Sequence, residues 1–352
     1  MDLPHRNIRL WLEEREDSLS PYAMKSRLSQ GRLKPEEPCP MRTAFQRDRD
    51  RVIHCKAFRR LKHKTQVFVA PLGDHYVTRL THTLEVSQIA RSISRALNLN
   101  EDLTEAIALG HDLGHTPFGH TGEEVLNEIS PFGFRHNEQS LRVVDLLEKE
   151  GAGLNLTFEI REGILKHSKS RTNILGEDWE TPDTLEGQVC KMADVVAYIN
   201  HDVDDALRAD VISEDDLPRP LISMFGKSRS ERINAMIRDI LDCSWAARGE
   251  GKGLTSKEVK PMIGVSPAVG EAMNTLREFL FERVYHSSLV QREANKARKV
   301  VRLLYEYFNE HEGKLPGDYA LRDEPLARRV VDYIAGMTDQ YALQTAQEAG
   351  LI

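Results

Sequence analysis

Histidine residues concentrate in one part of the sequence. Six of the 13 histidines lie between positions 75 and 136, namely His75, His82, His111, His115, His120 and His136. Imidazoles bind divalent metals and, with carboxylates, transfer protons near neutral pH. This concentration therefore indicates a metal centre, an acid–base site, or both.

The segment GHDLGHTPFGHTGEE is the densest part of this region. It places His111 and Asp112 next to each other, close to the predicted end of a helix. His115 follows His111 by four residues, so we expect both rings on one helix face. The glycines of the segment permit a sharp turn, which would bring His120 and Glu123 back over the same pocket.

Two residues on other helices extend this set toward a complete metal site. His82 lies near the start of one predicted helix, and Asp194 lies in an apolar stretch of another, where an unpaired carboxylate would be costly. One such residue alone is usually a hydrogen-bonded core residue, whereas four in the order H…HD…D favour a metal centre. Two imidazoles and two carboxylates suit Mn, Fe, Co, Ni or Zn, and also Mg when a substrate phosphate contributes.

Helices must position these side chains, because apolar residues recur at helical spacing along most of the chain and strand-like alternation is hard to find. The sequence therefore predicts an all-α fold. Helices are predicted at about residues 86–97, 103–109, 184–208, 228–247, 267–285, 291–310 and 326–349. We expect a loop or an edge hairpin near residues 248–267. The predicted segments are 1–74, 75–208 and 209–352, although a single helical body with peripheral helices fits equally well.

Composition excludes several protein classes. The 352 residues are 40% hydrophobic and 29% charged, which is typical of a globular protein of about two domains or one elaborated domain. The four cysteines form no CxxC pair, which argues against a zinc ribbon or a secreted disulfide framework. No stretch approaches the ~20 apolar residues of a membrane span, and the amino terminus has no apolar signal region. We therefore expect a cytoplasmic protein that does not enter a membrane.

The charge distribution is uneven. The net charge of −7 disfavours a dedicated nucleic-acid binder. Residues 42–64, however, contain nine Lys or Arg and two Asp, and five of the basic residues fall within positions 56–64. This basic stretch either meets a polyanion or forms a solvated face balanced by acidic neighbours, and the charge pattern alone leaves both interpretations open.

With His82, His111, Asp112 and Asp194 in this order, the sequence resembles the HD superfamily of metal-dependent phosphohydrolases. It resembles most closely the deoxyguanosine-triphosphate triphosphohydrolase-like family, through the motifs HDLGHTPFGH and ADVVAYINHD and through similarity over about residues 42–208. The segments REANKARKVVRLLYEYF and DYIAGMTDQYA extend the similarity toward the carboxyl end. The resemblance implies an all-α HD-domain helical bundle with an N-terminal extension and a C-terminal helical region. It also implies metal-dependent conversion of a dNTP to a deoxynucleoside and inorganic triphosphate.

The resemblance implies a role for each matching position. The metal would be held by His82, His111, Asp112 and Asp194. The cluster that orders and activates water would be His115, Glu123 and His136, with His120 as the general acid. The α-phosphate would contact Arg79, and the residues around the deoxyribose would be Gln66, Tyr198 and Asp202. The phosphate tail would meet Lys62, Lys64 or Lys166.

A dNTP triphosphohydrolase is therefore the leading interpretation, with base preference and physiological metal open. The resemblance also implies a homo-oligomer, such as a tetramer or hexamer, and some relatives require a nucleotide at an allosteric site. One alternative keeps the HD site but acts on a nucleoside monophosphate, a cyclic nucleotide or an alarmone. Another is a sensor of nucleotides or single-stranded nucleic acid, in which turnover is incidental. His167 and His201 either pack between helices or touch the substrate.

Overall fold

The computed structural model describes residues 8–67, 76–168, 181–249, 261–320 and 323–352. Over these residues the chain forms α-helices and no β-strand, which confirms the all-α fold. His75 and most of the segment predicted as a loop or hairpin lie outside the described residues. The helices are α1 (Ile8–Arg15), α2 (Ala44–Ile53), α3 (Lys56–Arg60), α4 (Arg79–Ala96), α5 (Glu101–Gly110), α6 (Gly119–Ile129), α7 (His136–Arg142), α8 (Phe158–Lys166), α9 (Leu185–Arg208), α10 (Arg219–Phe225), α11 (Arg229–Ser244), α12 (Pro267–Leu280), α13 (Ser288–Glu310), α14 (Gly317–Ala320), α15 (Leu326–Ala335) and α16 (Asp339–Glu348).

Local capping explains where the helices that carry the site begin. Thr78 caps α4, because its hydroxyl accepts from the backbone N–H of Thr81, whose own hydroxyl accepts from the N–H of Thr78. Asn100 caps α5 by accepting from the backbone N–H groups of Asp102 and Leu103. The helix α4 thus starts earlier than its apolar stripe predicts and includes His82 in its first turn.

Two predicted helices are interrupted. The predicted helix over residues 326–349 is two helices, because Thr338 accepts a hydrogen bond from the backbone N–H of Tyr341 and starts α16 as a new helix. The predicted helix over residues 267–285 ends as α12 at Leu280 and continues as a π turn over Phe281–Tyr285. A π turn holds one residue more than an α turn, and such turns are frequent at functional sites.

The helices pack around two hydrophobic cores. The larger core is built mainly from α4, α5, α8 and α9 and continues to Val284. The smaller core joins Phe118 and the apolar face of α6 to α13, α15 and α16. The three segment boundaries stay a prediction. In the described ranges, every helix is too short or too polar to cross a membrane.

Candidate active site and metal centre

The four predicted metal ligands converge from three places in the fold. His82 lies on α4, His111 and Asp112 directly follow α5, and Asp194 lies on α9. The His82 Nε2 atom is 3.2 Å from Asp194 Oδ1 and 3.8 Å from Asp112 Oδ2. His111 Nε2 is 3.5 Å from Asp112 Oδ1. The structure therefore brings together two imidazole nitrogens and two carboxylates, which is the donor set predicted from the sequence.

The chemistry of these donors fits a divalent metal. His111 Nδ1 donates to the carbonyl of Ala108 at 2.7 Å, which leaves Nε2 as the metal-facing nitrogen. Among the described residues, the buried His111 Nε2 has no hydrogen-bond partner, as expected of an atom reserved for a ligand. Burial raises the pKa of Asp112, but the positive charges of His111 and Arg79 outweigh burial and hold that pKa well below its usual range. Asp112 is therefore ionised, as a carboxylate ligand of a metal must be.

A second cluster of titratable groups lies next to the metal centre. Glu123 on α6 faces the first residue of α7, His136, whose Nδ1 is 2.9 and 3.0 Å from the two carboxylate oxygens. The His115 ring stacks on the His136 ring, with centroids 4.4 Å apart. His120 Nδ1 lies 3.4 Å from Glu123 and its side chain is 68% exposed, at the rim of the site.

Opposite shifts of pKa assign charges within this second cluster. Burial raises the pKa of Glu123, but the neighbouring His136 and the hydrogen bond with His120 outweigh burial and hold it well below its usual range. Burial lowers the pKa of His136, yet the Glu123 carboxylate raises it above its ordinary value overall. Burial and the positive charges of Arg79 and His136 hold the pKa of His115 well below its usual range. A neutral imidazole therefore lies against a carboxylate–imidazolium pair, an arrangement that can accept a proton from water.

His115 corrects one expectation. The four-residue spacing predicted that His115 and His111 would share a helix face, but α5 ends at Gly110, before either residue. The chain turns there, and His115 stacks on His136. Because the helix ends before them, His111 lies with the predicted metal ligands and His115 lies in the second cluster.

A cavity of about 810 Å³ opens onto both groups. This volume lies within the ~300–1,000 Å³ typical of small-molecule sites. Eleven of the predicted site residues line it: Gln66, Arg79, His82, Asp112, His115, His120, Glu123, His136, Asp194, Tyr198 and Asp202. Arg79 donates to Asp112 Oδ2 at 2.8 Å, and Tyr285 donates its hydroxyl hydrogen to Asp202 Oδ2. The cavity therefore joins the metal centre to the residues predicted around a deoxyribose.

Lys166 and the basic stretch lie elsewhere. The Lys166 ammonium is 2.8 Å from Glu162 and 3.0 Å from Asp183, and it does not line the described part of the cavity. Nor does any residue from 42 to 64 line that part. Acidic neighbours pair with the first half of the basic stretch, through Arg42–Asp50, Arg49–Asp102 and Arg51–Glu36. Lys62 is exposed and does not line that part of the cavity either, so phosphate binding by these residues stays a prediction.

Lys64 and Asp339 anchor the loop between α5 and α6. The buried Lys64 ammonium donates to the carbonyl of His115, and to that of Ala335 at 2.8 Å. Asp339 Oδ1 accepts from the backbone N–H of Phe118 at 2.8 Å. Its Oδ2 accepts from the N–H of Thr65 at 2.9 Å and from the Thr65 hydroxyl. The C-terminal helices thus hold the loop that carries His115.

Several cavity residues were missed by sequence reasoning. Lys191 is buried and lies three residues before Asp194 on the cavity face of α9, so helical spacing could have identified it. Arg277, Phe281 and Tyr285 come from α12 and its π turn, and line the same cavity. Their positions carry no local sequence signal, because only the tertiary fold brings α12 against α9.

His167 lines the cavity, whereas the buried His201 does not.

Comparisons with known proteins identify the family of this chain. The HD domain family matches residues 79–199, and the phosphohydrolase-associated domain family matches residues 263–348. A Caldanaerobacter subterraneus protein named deoxyguanosinetriphosphate triphosphohydrolase-like protein is 54% identical, covering 94% of this chain and 91% of the relative. A Desulfatibacillum aliphaticivorans protein of the same name is 49% identical over 97% of both chains. A third, from Clostridium tetani, is 46% identical over 93% of this chain and 91% of its own.

The solved structures include a more distant likeness. The crystal structure of a hypothetical protein from Aquifex aeolicus has a TM-score of 0.45 and 19% identity, covering 86% of this chain and 68% of that one. The relatives, which match over more than 90% of both chains, and the HD-domain match over residues 79–199 decide the family. The chain belongs to the deoxyguanosinetriphosphate triphosphohydrolase-like family of HD-domain phosphohydrolases.

Proposed function

We propose that this protein is a metal-dependent dNTP triphosphohydrolase, which converts a deoxynucleoside triphosphate to the deoxynucleoside and inorganic triphosphate. The observation that carries the proposal is one cavity lined by three of the four predicted metal ligands, by the His115–Glu123–His136 cluster and by Tyr198 and Asp202. The bound divalent metal would act as a Lewis acid at the α-phosphate.

The second cluster would prepare the attacking water. Neutral His115 accepts a proton from the water, and the ionised pair of Glu123 and His136 fixes the orientation of the His115 ring by stacking. Water oxygen forms the new bond to the α-phosphorus, and the bond from that phosphorus to the sugar O5′ breaks. Because a 5′-alkoxide is a poor leaving group, it must receive a proton, and we propose that His120, exposed at the rim of the site, supplies it.

The remaining residues would position the substrate. Arg79 has its Nη1 on Asp112, and its guanidinium lines the cavity, where it can balance negative charge on the α-phosphate. Asp202 would accept a hydrogen bond from the sugar 3′-hydroxyl, and the Tyr198 ring would occupy the space that a ribose 2′-hydroxyl needs. Gln66 also lines the cavity, and Lys191 adds a further basic side chain to it.

The proposal extends to the state of the protein in the cell. Membership of the family supports a homo-oligomer, such as a tetramer or hexamer, that works on nucleotides in the cytoplasm. An additional allosteric nucleotide is part of the same proposal. Light scattering coupled to size-exclusion chromatography, with and without dNTPs, would measure the number of subunits.

The decisive experiment uses protein stripped of metal and then supplied with Mn²⁺ or Mg²⁺. Each of the four dNTPs is given singly and in a mixture, and the products are separated by anion-exchange chromatography. We expect deoxynucleoside and intact triphosphate, and activity only in the mixture would indicate allosteric activation. Release of orthophosphate or pyrophosphate would refute the proposed bond cleavage. Turnover of a monophosphate, cyclic nucleotide or alarmone alone, or binding without turnover, would favour the alternative functions.

A further inference from the structure

His201 contacts a metal ligand from behind, although it does not line the cavity. It lies on α9, is fully buried, and its Nε2 is 2.9 Å from Nδ1 of His82. The two rings meet edge to face, with centroids 5.1 Å apart and an interplanar angle of 83°. His82 faces the metal centre with its other nitrogen, Nε2. His201 is thus the outer partner of this ligand.

The positions of the protons follow from the role of His82. A neutral imidazole that offers Nε2 to a metal carries its hydrogen on Nδ1 and donates it to an outer partner. His201 Nε2 must therefore accept, which places the His201 hydrogen on Nδ1. That nitrogen is 2.8 Å from Asp202 Oδ1. The contact is close but not aligned as a hydrogen bond, and within the described part of the chain neither atom has another hydrogen-bond partner.

Asp202 completes the chain of contacts. Its carboxylate is almost fully buried, its Oδ2 accepts from the Tyr285 hydroxyl, and its Oδ1 faces His201. A carboxylate in this place favours the His201 tautomer with hydrogen on Nδ1, and hence the acceptor state of Nε2. Asp202 can therefore influence His82 through His201 without touching the metal.

We propose that His201, oriented by Asp202, is a positioning residue that fixes the tautomer and ring orientation of His82 and thereby sets the affinity of the metal centre. The proposal rests on the proposed function in one respect, the role of His82 as a ligand, and needs no nucleotide. It assigns Asp202 a second role besides contact with the sugar. Packing alone, the competing explanation, predicts that removing the His201 acceptor changes stability but not metal affinity.

The test measures Mn²⁺ binding to full-length metal-free protein by titration calorimetry, without substrate. His201→Phe keeps a ring but removes the acceptor, and we expect affinity to fall by about 10- to 100-fold, as for other outer partners of metal-ligating histidines. His201→Gln keeps an acceptor and a donor, and we expect it to bind Mn²⁺ within about threefold of wild type. Asn200→Leu is the matched control, because Asn200 is buried next to His201 but binds Arg232 on α11.

A double-mutant cycle tests the part played by Asp202. Asp202→Asn removes the charge but keeps an acceptor, and we expect about tenfold weaker Mn²⁺ binding. Combined with His201→Phe, it should weaken binding no further than His201→Phe alone, because the two residues act through one path. Asp202→Asn also provides an independent readout if His201→Phe does not fold.

The outcomes separate this inference from the proposed function. Wild-type Mn²⁺ affinity in both His201→Phe and Asp202→Asn would overturn the inference, as would equal losses in Asn200→Leu and His201→Phe. Fully additive losses in the double variant would overturn the shared path. Weakened metal binding in a protein that hydrolyses no dNTP would support the inference and refute the proposed function. A wild-type protein that binds no Mn²⁺ or other divalent metal would overturn both.

Discussion

Replacing Asp339 by alanine tests whether the C-terminal helices hold the catalytic loop in place. The carboxylate accepts three hydrogen bonds, from the backbone N–H groups of Phe118 and Thr65 and from the Thr65 hydroxyl. A hydrogen bond to a charged group contributes about 1.5–3 kcal/mol. Asp339 is half-buried, so water can replace part of what is lost. We therefore expect the free energy of unfolding to fall by about 3–5 kcal/mol, less than the full sum.

The same change should reduce turnover more than metal binding. The loop between α5 and α6 begins with His111 and Asp112, carries His115 and leads into His120, and Asp339 binds it near its end, at Phe118. A misplacement of catalytic groups by about 1 Å costs up to about 100-fold in rate, so we expect kcat to fall by about 10- to 100-fold. The affinity for Mn²⁺ should fall less than kcat, because His82 and Asp194 lie on α4 and α9, and His111 and Asp112 lie at the start of the loop, away from Phe118.

Urea unfolding, steady-state kinetics and Mn²⁺ titration of the Asp339→Ala protein measure the three quantities. Asp339→Asn keeps one amide oxygen as an acceptor and should lie between wild type and Asp339→Ala in stability and in kcat. Gln340→Ala, at the exposed neighbouring residue, is the control and should match wild type. A kcat of Asp339→Ala equal to that of wild type would refute the anchoring role. An equal loss of metal affinity and kcat would show that the contact supports the whole site and not the loop in particular.

Three further predictions concern single residues. In Gly119→Ala the new Cβ would lie 3.0 Å from the Gln66 carbonyl oxygen, at a φ of +58°, so we expect about 1–2 kcal/mol of strain and a lower kcat. The control is Gly31→Ala, where φ is +89° and the new Cβ meets open space. It should lower the thermal stability through the same backbone strain but keep the kcat of wild type. Burial raises the pKa of Glu186 from 4.5 to about 7. The resulting contribution to the free energy of unfolding is fully present below pH 4.5, and the protein loses about 3 kcal/mol of stability as the pH rises through 7. Glu186→Gln should flatten this part of the stability–pH curve measured by urea unfolding, and an unchanged slope would contradict the assignment. Tyr198→Ala should lower the dGTP/GTP rate ratio by about tenfold, and an unchanged ratio would exclude Tyr198 from sugar discrimination.

Residue type was sufficient to predict which four side chains would meet, and the metal centre that they would form stays a prediction. His82, His111, Asp112 and Asp194 are polar groups in or beside apolar helices, and burial of such groups requires a partner or a metal. The fold class could be predicted from helical periodicity, because the repeat of apolar positions is visible within each short stretch of sequence. The structure confirms the all-α fold and brings the four side chains together.

The remaining features could not be predicted from the sequence, because they depend on tertiary contacts. The π turn that carries Tyr285 and the capped break before α16 depend on packing between helices distant in sequence. Lys64 shows the limit clearly, because the charge pattern left open whether its basic stretch meets a polyanion or forms a solvated face. Burial instead lowers its pKa to about 7 and places its ammonium on two backbone carbonyls. A charge count cannot distinguish a solvated lysine from one enclosed between helices.

The π turn over Phe281–Tyr285 makes the wall of the cavity sensitive to chain length. The turn contains one residue more than the corresponding α-helical turn. Deleting one residue there would restore an unbroken helix and rotate every later side chain by about 100°. Tyr285 would then leave the side of the helix that faces Asp202, while Arg277, which precedes the turn, would stay in place. The length of this turn, and not only its sequence, thus determines which side chain faces Asp202, and it does so without altering any of the predicted metal ligands.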